Sequence, residues 1–512
     1  MSGVSIERIQ ISDFRAFPAL APADIVLDGC NMLAYGENGS GKSSIYRALR
    51  GLFSSSAQDI MPLHNVFTDP PQPSVRVTLT DKTEYHWSAA GHPTADIQDV
   101  ARKSAFLSHT RLIEMNTGAT PNDKPELFHV AVAHLIADFE ATVTGGAKRN
   151  VGELWQAVTN AFSRTEQYAG GSGQRRPKNF VAVLQTALDE FNDGMGQAIT
   201  ALEGQAKPLL RRLVDVLTQD ALELVGFTFY GVNYDAERKT LRNVTLTANV
   251  NFRDHTPPAH QSFLNEGRQS ALAIAIYLAG RMACVPTTDD ALRLLVFDDL
   301  LISLDHSHRR PVLEVIATEF KDWQIILLTH DRFWFEMARE QLLGKPWKCV
   351  EIYESVDGDG LLRPSVWNSS ENLVDETLKQ AKRFLDENPP QPAAAANYAR
   401  TACELALRRY CRNHNILFAY ADDPQKIKLD DLLKKAAAHA APDAGRKAAI
   451  GGLNQHKKLI LNPLSHNPTQ PIVKADVQAA ITAVKALVTA CSTKKKSVTA
   501  VFSSSRFPLR QR

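Results

Sequence analysis

The sequence predicts an α/β fold with a short helical insert, followed by an all-helical C-terminal domain. Three observations support this prediction. A glycine-rich loop at residues 36–43 lies between an apolar strand pattern and the start of a helix. Two further apolar runs, at residues 294–299 and 324–329, are short and end in polar residues, as buried strands of parallel sheets do. From residue 374 onward, helix-forming residues dominate and strand alternation is absent.

Composition limits the kind of protein this can be. A chain of 512 residues is too long for one hydrophobic core, so we expect two or more domains. The 44% hydrophobic and 22% charged residues are typical of soluble globular proteins, and no run of eighteen apolar residues predicts a membrane span. A net charge of +2 means that any nucleic-acid surface must be a local patch. Residues 1–11 resemble a strand and not a signal peptide.

The six cysteines are scattered and lack C-x-x-C spacing. This pattern predicts neither a zinc site nor a disulfide framework. It fits a reducing compartment, and we therefore expect a cytoplasmic protein.

The loop at residues 36–43 fits the pattern G-x-x-x-x-G-K-[ST] without a gap. Its residues are Gly36, Glu37, Asn38, Gly39, Ser40, Gly41, Lys42 and Ser43. Glycines let backbone N–H groups point toward phosphate oxygens at a helix start, where anions are already favoured. Lys42 would reach the β- and γ-phosphates of ATP, and Ser43 would ligate Mg²⁺. The alternative is a chance glycine turn, against which the flanking strand and helix patterns argue.

Two adjacent carboxylates end the apolar run at residues 294–297. Ligands of open α/β sheets bind at the carboxyl ends of the strands. Asp298 is placed to hold Mg²⁺, and Asp299 is placed to orient or deprotonate the attacking water. The alternative is an exposed acidic turn.

A histidine and a polar turn complete the candidate constellation. His330 follows the buried run at residues 324–329, as a sensor of the γ-phosphate would, although a histidine at such a place is more often structural. Upstream, residues 264–269 form a polar, glycine-containing turn before an apolar helix at residues 270–282. A helix start is another anion site, but this signal is weak when taken alone.

Together, these segments resemble the ABC-type ATPase heads of the SMC, RecF and recombination-repair group. The segment 9–17 looks like the first strands of that group with its Phe14-Arg15 pair, and residues 36–44 match its Walker A motif. The resemblance implies ATP and Mg²⁺ as cofactors. It assigns nucleotide contacts to Arg15 and Ser44, the signature motif to Asn265 and Gly267, Walker B to Asp298 and Asp299, the D-loop to Asp305 and the switch histidine to His330.

In such heads two copies close over two ATP molecules. The resemblance therefore implies a head-to-head dimer or larger homo-oligomer, with Lys42 and Asp299 of one head facing Asn265 and Gly267 of the other. Two departures stand out, because the group has serine where this chain has Asn265 and glutamate where it has Asp299. An amide can still donate a hydrogen bond to phosphate. The shorter arm of aspartate predicts slow hydrolysis. Residues 108–111 occupy the place of the Q-loop without matching it clearly.

Within this group the sequence looks most like compact ATPase subunits of bacterial anti-phage systems such as Septu, PARIS and retron systems. Residues 263–268 and 298–305 carry this finer resemblance. It implies a nucleotide-gated sensor and scaffold that controls an effector subunit, a nuclease. Two alternatives stay open. One is a RecF-like DNA-repair ATPase that binds nucleic acid directly, and the other is an RNase within residues 370–490.

We predict an N-terminal lobe of the head at 1–149, a helical insert at 150–222, a C-terminal lobe at 223–365, a helical domain at 370–491 and a basic tail at 492–512. The insert has apolar residues three and four apart, namely Val181, Leu184, Leu188, Phe191, Met195, Ala198 and Leu202. A helix over residues 179–203 would be about 40 Å long. It forms either a short coiled coil with a partner at residues 151–164 or a helix packed on the head.

The helical domain is similar to HEPN-type bundles, whose nuclease members carry an arginine and a histidine separated by four to six residues. Here Lys458 precedes His466 and no arginine has that spacing, so we do not expect RNase activity. Arg400, Glu404, Asn462 and His466 are then interpreted as a polar network. The tail has Lys and Arg but no acidic residue, which predicts a disordered basic end, either for binding or merely solvated.

Overall fold

The computed structural model describes most of the chain, and the chain divides into two compact units, Met1–Asn368 and Ser369–Arg512. The described residues are 3–117, 126–169, 180–218, 222–257, 260–285, 291–300, 304, 306–342, 346–356, 362–369, 373–414, 416, 429–440, 443–456 and 473–492.

The first unit contains all the strands of the described residues. In chain order they are β1 (Ile6–Ser12), β2 (Ala23–Val26), β3 (Asn31–Gly36), β4 (Ser74–Leu79), β5 (Glu84–Ser88), β6 (Ser104–Ser108), β7 (Glu140–Thr142), β8 (Lys148–Asn150), β9 (Leu222–Thr228), β10 (Asn233–Asp235), β11 (Thr240–Arg242), β12 (Thr247–Phe252), β13 (Leu294–Asp298), β14 (Gln324–Thr329), β15 (Trp347–Val356) and β16 (Leu362–Ser369).

The helices of both units follow the same order. They are α1 (Lys42–Leu52), α2 (Thr94–Arg102), α3 (His109–Thr117), α4 (Phe128–Val130, continued by a π turn at Ala131–Leu135), α5 (Val151–Ala169), α6 (Phe180–Thr218), α7 (His260–Phe263), α8 (Glu266–Cys284), α9 (His306–Glu319), α10 (Arg332–Gln341), α11 (Leu373–Asp386), α12 (Pro392–Asn413), α13 (Leu429–Ala440), α14 (Ala444–His456) and α15 (Lys474–Ser492), with a 3₁₀ turn at Met61–Leu63.

A six-stranded sheet forms the centre of the first unit in the order β16-β15-β3-β14-β13-β6. The five strands from β15 to β6 run parallel to their neighbours. The carboxyl ends of β3, β14, β13 and β6 therefore meet at one edge of the sheet. The α/β fold and the all-helical C-terminal region predicted by the sequence are both confirmed.

The apolar strands of this sheet are covered on both faces, which explains their lack of polar alternation. Leu295 and Phe297 of β13 lie in one core, which also contains residues of α5, α6, α8 and α9. Leu294 and Val296 of the same strand lie in a second core, shared with α1 and the N-terminal strands. Successive side chains of a strand point to opposite faces, so one continuous apolar run supplies two cores.

A four-stranded antiparallel sheet in the order β2-β1-β4-β5 lies at the N-terminal side of the first unit. Its apolar face, including Ile9, Ile25 and Val77, packs in the same core as Ile45 and Leu49 of α1. The helix α1, which follows the glycine-rich loop, therefore packs between two sheets.

The long helix α6 differs from the expected insert helix, because it extends from Phe180 to Thr218 and not only over residues 179–203. Apart from Val181, which is exposed, the seam residues from Leu184 to Leu202 are buried. They share a core with residues of α8, against which α6 packs, and with residues of α5. α6 therefore packs both on α8 and on α5, which contains the segment 151–164 expected as its helical partner.

The C-terminal lobe was expected to end at residue 365, but the strand β16 continues to Ser369. β16 pairs beside β15 at the edge of the central sheet, within the first unit. It contains Pro364. Proline is tolerated in edge strands because the N–H group that it lacks would face the open side of the sheet, where there is no partner strand.

The second unit is helical over its described residues, α11 to α15. Its core contains Ala399, Cys403 and Leu407 from α12 together with Leu433 of α13 and Ile481 of α15. Among the helices that the structure describes, none combines the length and apolar character that crossing a membrane requires.

Candidate functional site

The glycine-rich loop at residues 36–43 joins the carboxyl end of β3 to the start of α1, and its shape requires glycine. Gly39 and Gly41 have φ angles of 93° and 103°, in the left-handed region where side chains are strained. A side chain at Gly36 would collide with Ser40 and would lie 2.8 Å from the carbonyl oxygen of Ile352. Within this turn, the structure places the predicted glycines where the backbone conformation needs them.

Lys42 contacts the backbone of the glycine-rich loop. Its Nζ donates hydrogen bonds to the carbonyl oxygens of Gly36 at 2.6 Å and Glu37 at 2.7 Å. Burial lowers the pKa of Lys42, while the carboxylates of Asp299 and Asp298 act in the opposite direction. Carbonyl oxygens are weak partners for a buried ammonium group compared with an anion. The site therefore favours an anionic ligand that can replace them.

Asp298 ends β13, and Ser43 is the second residue of α1. Burial raises the pKa of Asp298, and the charge of Asp299 raises it further, whereas the Ser43 hydroxyl and the charges of Lys42 and Arg47 lower it. Among the described residues, Oδ1 of Asp298 is buried and has no hydrogen-bond partner.

A hydroxyl and a carboxylate with an unused buried oxygen suit a hard cation such as Mg²⁺. Ser43 and Asp298 would hold it and supply oxygen ligands. Within the described ranges, no cluster of three or more His, Cys, Asp or Glu side chains could hold a metal by itself. This is compatible with Mg²⁺, which proteins commonly bind through one or two side chains together with phosphate oxygens.

Asp299 and His330 lie at the ends of neighbouring strands and contact each other directly. Oδ1 of Asp299 accepts hydrogen bonds from the backbone N–H of His330 at 2.9 Å and lies 3.0 Å from its Nδ1. The backbone N–H of Asp299 donates to the carbonyl oxygen of Leu328 at 3.0 Å, and its φ of 51° turns the chain away from β13. Both bonds to His330 use Oδ1, which leaves Oδ2 as the oxygen that can orient a water.

Residues 108–111, at the expected place of the Q-loop, begin at the same carboxyl edge of the central sheet. Ser108, the last residue of β6, pairs directly with Asp298 of β13. Burial raises the pKa of Tyr46 of α1, and the Ser108 hydroxyl acts in the opposite direction. This segment therefore borders the Asp298 carboxylate, although nothing in its sequence had identified it clearly.

Arg15 lies in the loop after β1, beside α1. Its backbone N–H donates to the carbonyl oxygen of Leu63 at 2.9 Å, and the next residue, Ala16, donates from its N–H to the Ser44 hydroxyl at 3.4 Å. Burial and the nearby Arg47 lower the pKa of Arg15. Two guanidinium groups that repel each other favour an anion between them, as the predicted nucleotide contact of Arg15 requires.

Asn265 caps the N-terminus of α8. Its side-chain oxygen accepts the backbone N–H of Arg268 at 3.0 Å, and Gly267 is buried in the first turn. The Arg268 guanidinium lies over the Phe252 ring, 4.9 Å from its centroid. This hydrogen bond of Asn265 stays within its own turn, and its side chain is exposed.

Several predicted residues lie outside the described residues. They are Asp305, Lys458, Asn462, His466 and the tail from residue 493. In the second unit, Arg400 and Glu404 form an ion pair at 3.0 Å on one face of α12.

Sequence analysis missed one buried cation close to this edge of the sheet. Arg309 of α9 donates from Nε to the carbonyl oxygen of Leu304 at 2.9 Å and forms an ion pair with Asp331. Asp331 directly follows His330. No local pattern marks Arg309, because its ion pair joins residues separated by 22 positions.

Neither a scan against protein-family models nor a search of curated proteins found a match for this chain. Solved structures do show similarity. An SMC head bound to the C-terminal winged-helix domain of ScpA is 12% identical, with 72% of this chain and 99% of that chain covered and a TM-score of 0.38. An SMC head with an extended coiled coil bound to the C-terminal domain of ScpA, from Pyrococcus furiosus, is 12% identical, with 74% and 99% covered and a TM-score of 0.40.

The recombination mediator protein RecF with ATP, from the RecFOR pathway, is 13% identical, with 71% of this chain and 98% of that chain covered and a TM-score of 0.44. SMC heads and RecF are the two kinds of protein that the sequence motifs resemble. At such identities and TM-scores the similarity concerns the fold alone. The proposals below therefore rest on the geometry of the site.

Proposed function

We propose that this chain binds ATP with Mg²⁺ at residues 36–44 and hydrolyses it, as an ATPase of the SMC and RecF kind. The supporting observation is the convergence of three elements at the carboxyl ends of adjacent parallel strands. Lys42 and Ser43 come after β3, His330 follows β14, Asp298 ends β13 and Asp299 follows it. Ligands of parallel sheets bind at this edge.

Each residue has a chemical role in this proposal. Lys42 exchanges its carbonyl partners for the β- and γ-phosphate oxygens. Ser43 and Asp298 hold Mg²⁺, which neutralises phosphate charge when bound. Asp299 orients the attacking water through Oδ2, while His330 fixes the carboxylate through Oδ1 and contacts the γ-phosphate.

The proposed site is shared between two copies of the chain. Asn265 is exposed at the start of α8, where free backbone N–H groups favour anions. Its described hydrogen bond is local. The signature turn therefore presents an anion-binding helix start to a partner, and we propose that it completes the ATP site of a second head in a homodimer or larger oligomer.

The substitution Lys42→Met tests the ATP site, because it removes the charge and keeps much of the volume. We expect ATP affinity to fall about 10–100-fold, the loss expected when hydrogen bonds to a charged group disappear. Equilibrium titration with a fluorescent ATP analogue and steady-state ATP hydrolysis would measure this. Lys82→Met is the matched control, since Lys82 is exposed and paired only with Glu7 among the described ion pairs. Unchanged ATP affinity in Lys42→Met would refute the proposal.

We further propose that nucleotide state sets the geometry of the paired heads, and that this geometry controls an effector nuclease in anti-phage defence. The sequence resemblance to compact defence ATPases supports this role. A ligand shifts such an equilibrium only through its different affinity for the two states. Purification of the native complex with and without ATP tests the role. A nuclease subunit whose retention depends on ATP supports it, whereas a complex with DNA and no such subunit favours a direct DNA-repair ATPase.

A further inference from the structure

We propose that Arg309 is a positioning residue for ATP hydrolysis, because it closes a ring of contacts that fixes His330 against Asp299. The inference rests on the proposed ATPase function. The Arg309 side chain contacts both Leu304 and Asp331. His330, the residue before Asp331, contacts Asp299, which precedes Leu304 by five positions in the chain.

The first contact in the ring is made by a buried guanidinium. Only 8% of Arg309 is exposed. Its Nε donates to the carbonyl oxygen of Leu304 at 2.9 Å, and its Nη1 pairs with Oδ2 of Asp331. One planar group thus joins the turn after β13 to the turn after β14. A lysine offers a single point charge and cannot make both contacts in this geometry.

The second part of the ring is the rigid turn that carries His330. Asp331 caps α10, because its Oδ1 accepts the backbone N–H of Trp334 at 3.0 Å. Its own N–H donates to the hydroxyl of Thr329 at 3.1 Å. Asp331 is therefore fixed to the end of β14 and to the start of α10, and its position sets that of the preceding residue, His330.

The ring closes at the proposed catalytic carboxylate. Both the backbone N–H and Nδ1 of His330 contact Oδ1 of Asp299. The Arg309–Asp331 pair therefore acts on Asp299 through the turn that carries His330.

The same turn has a second ion pair that serves as a comparison. Arg332, which follows Asp331, pairs with Glu351 at 2.5 Å and with Glu336 at 2.6 Å. Its guanidinium lies 4.9 Å from the centroid of the Tyr35 ring. Glu351→Gln would weaken the attachment of α10 to β15 without altering the link to Leu304.

The experiment compares Arg309→Lys and Asp331→Asn with Glu351→Gln in the full chain. Asparagine at position 331 keeps the helix cap, so this variant removes the charge pair while preserving the fold. We expect Arg309→Lys and Asp331→Asn each to lower kcat about 10–100-fold with ATP affinity unchanged, as misplaced catalytic groups do. Glu351→Gln should keep the wild-type kcat.

A double-mutant cycle with His330→Gln separates positioning from general stability. If Arg309 acts through His330, Arg309→Lys should lower kcat no further in the His330→Gln background. Wild-type kcat in both Arg309→Lys and Asp331→Asn, an equal loss in Glu351→Gln, or additive losses in the cycle would each overturn the inference. Failure of the wild-type chain to hydrolyse ATP would overturn the proposed function as well.

Discussion

The imidazole Nδ1 of His330 lies 3.0 Å from Oδ1 of Asp299, and the backbone N–H of His330 donates to the same oxygen at 2.9 Å. These two contacts orient the carboxylate. Both use Oδ1, and Oδ2 is left to orient a water. This arrangement suits a carboxylate that positions a water. It is made by an aspartate, whereas the SMC and RecF group has glutamate at the corresponding place.

The first prediction concerns Asp299→Asn. We expect ATP hydrolysis to fall about 10²–10⁴-fold, because an amide cannot accept the proton of the attacking water. ATP binding should be retained. Asparagine also tolerates the left-handed conformation at this position, where φ is 51°, so the turn should keep its shape. Single-turnover hydrolysis and ATP-analogue titration would measure the two effects separately.

Because ATP is not consumed in this variant, ATP-bound pairs of heads should accumulate. Light scattering would then show a larger molar mass for Asp299→Asn with ATP than without it. Hydrolysis at the wild-type rate would mean that another residue positions the water. A variant that binds ATP yet stays monomeric would contradict the shared site.

The second prediction concerns the stability of the ligand-free protein. Burial is the main cause of the raised pKa of Asp298, so the ionised carboxylate destabilises the folded state relative to the unfolded chain. Asparagine has no charge to bury. Asp298→Asn should therefore raise the melting temperature by about 1–3 °C near neutral pH, the shift expected for about 1 kcal/mol in a large domain. Mg²⁺-dependent hydrolysis should be lost.

The sign of the pH dependence follows from the same shift. At low pH the Asp298 carboxyl group is protonated in both the folded and the unfolded state, and it does not lower the free energy of unfolding. The destabilisation begins as pH rises above the usual aspartate pKa of about 4, and it is complete above the raised folded-state pKa. The melting-temperature gain of Asp298→Asn should be larger at pH 8 than at pH 5. Asp24→Asn is the control of opposite sign, because its hydrogen bond with Arg8 lowers the pKa of Asp24. A gain that shrinks with rising pH would contradict the prediction.

The third prediction separates the two functions of Asn265. Asn265→Ser and Asn265→Asp both keep an oxygen that can cap α8, so both variants should fold. Serine should support ATP hydrolysis, whereas aspartate places a negative charge against the phosphates and should abolish it. If Asn265 serves the partner's site, mixing Asn265→Asp with Lys42→Met should restore part of the activity, since one intact site forms in each mixed pair. Equal activity of the serine and aspartate variants would exclude a phosphate contact.

The phosphate loop could be predicted from the sequence because its parts are contiguous. Gly36 to Ser43 form one turn between a strand and a helix, and local backbone preferences fix such a turn. Asp298 and His330 each follow an apolar run, so their place at the carboxyl edge of a parallel sheet followed from the pattern alone.

The extent of α6 could not be predicted in the same way. Gly204 and Pro208 both disfavour a helix interior, and the expected helix ended before them. In the structure α6 continues past both residues. Leu209 and Leu213 are buried there in the core shared with α8. Tertiary packing thus outweighed the local preference, and the burial of this face is what the sequence by itself did not specify.

The sequence by itself determined which residues form the glycine-rich loop and which strands lead into carboxylate and imidazole groups. Only the tertiary structure decided that Ser108 lies beside Asp298, that Asp299 bonds to His330, and that Arg309 joins Leu304 to Asp331. These contacts depend on the strand order β3-β14-β13-β6 and on its register. Strand order is set by the packing of helices on both faces of the sheet and by loop closure across the whole unit, neither of which is a property of any local segment.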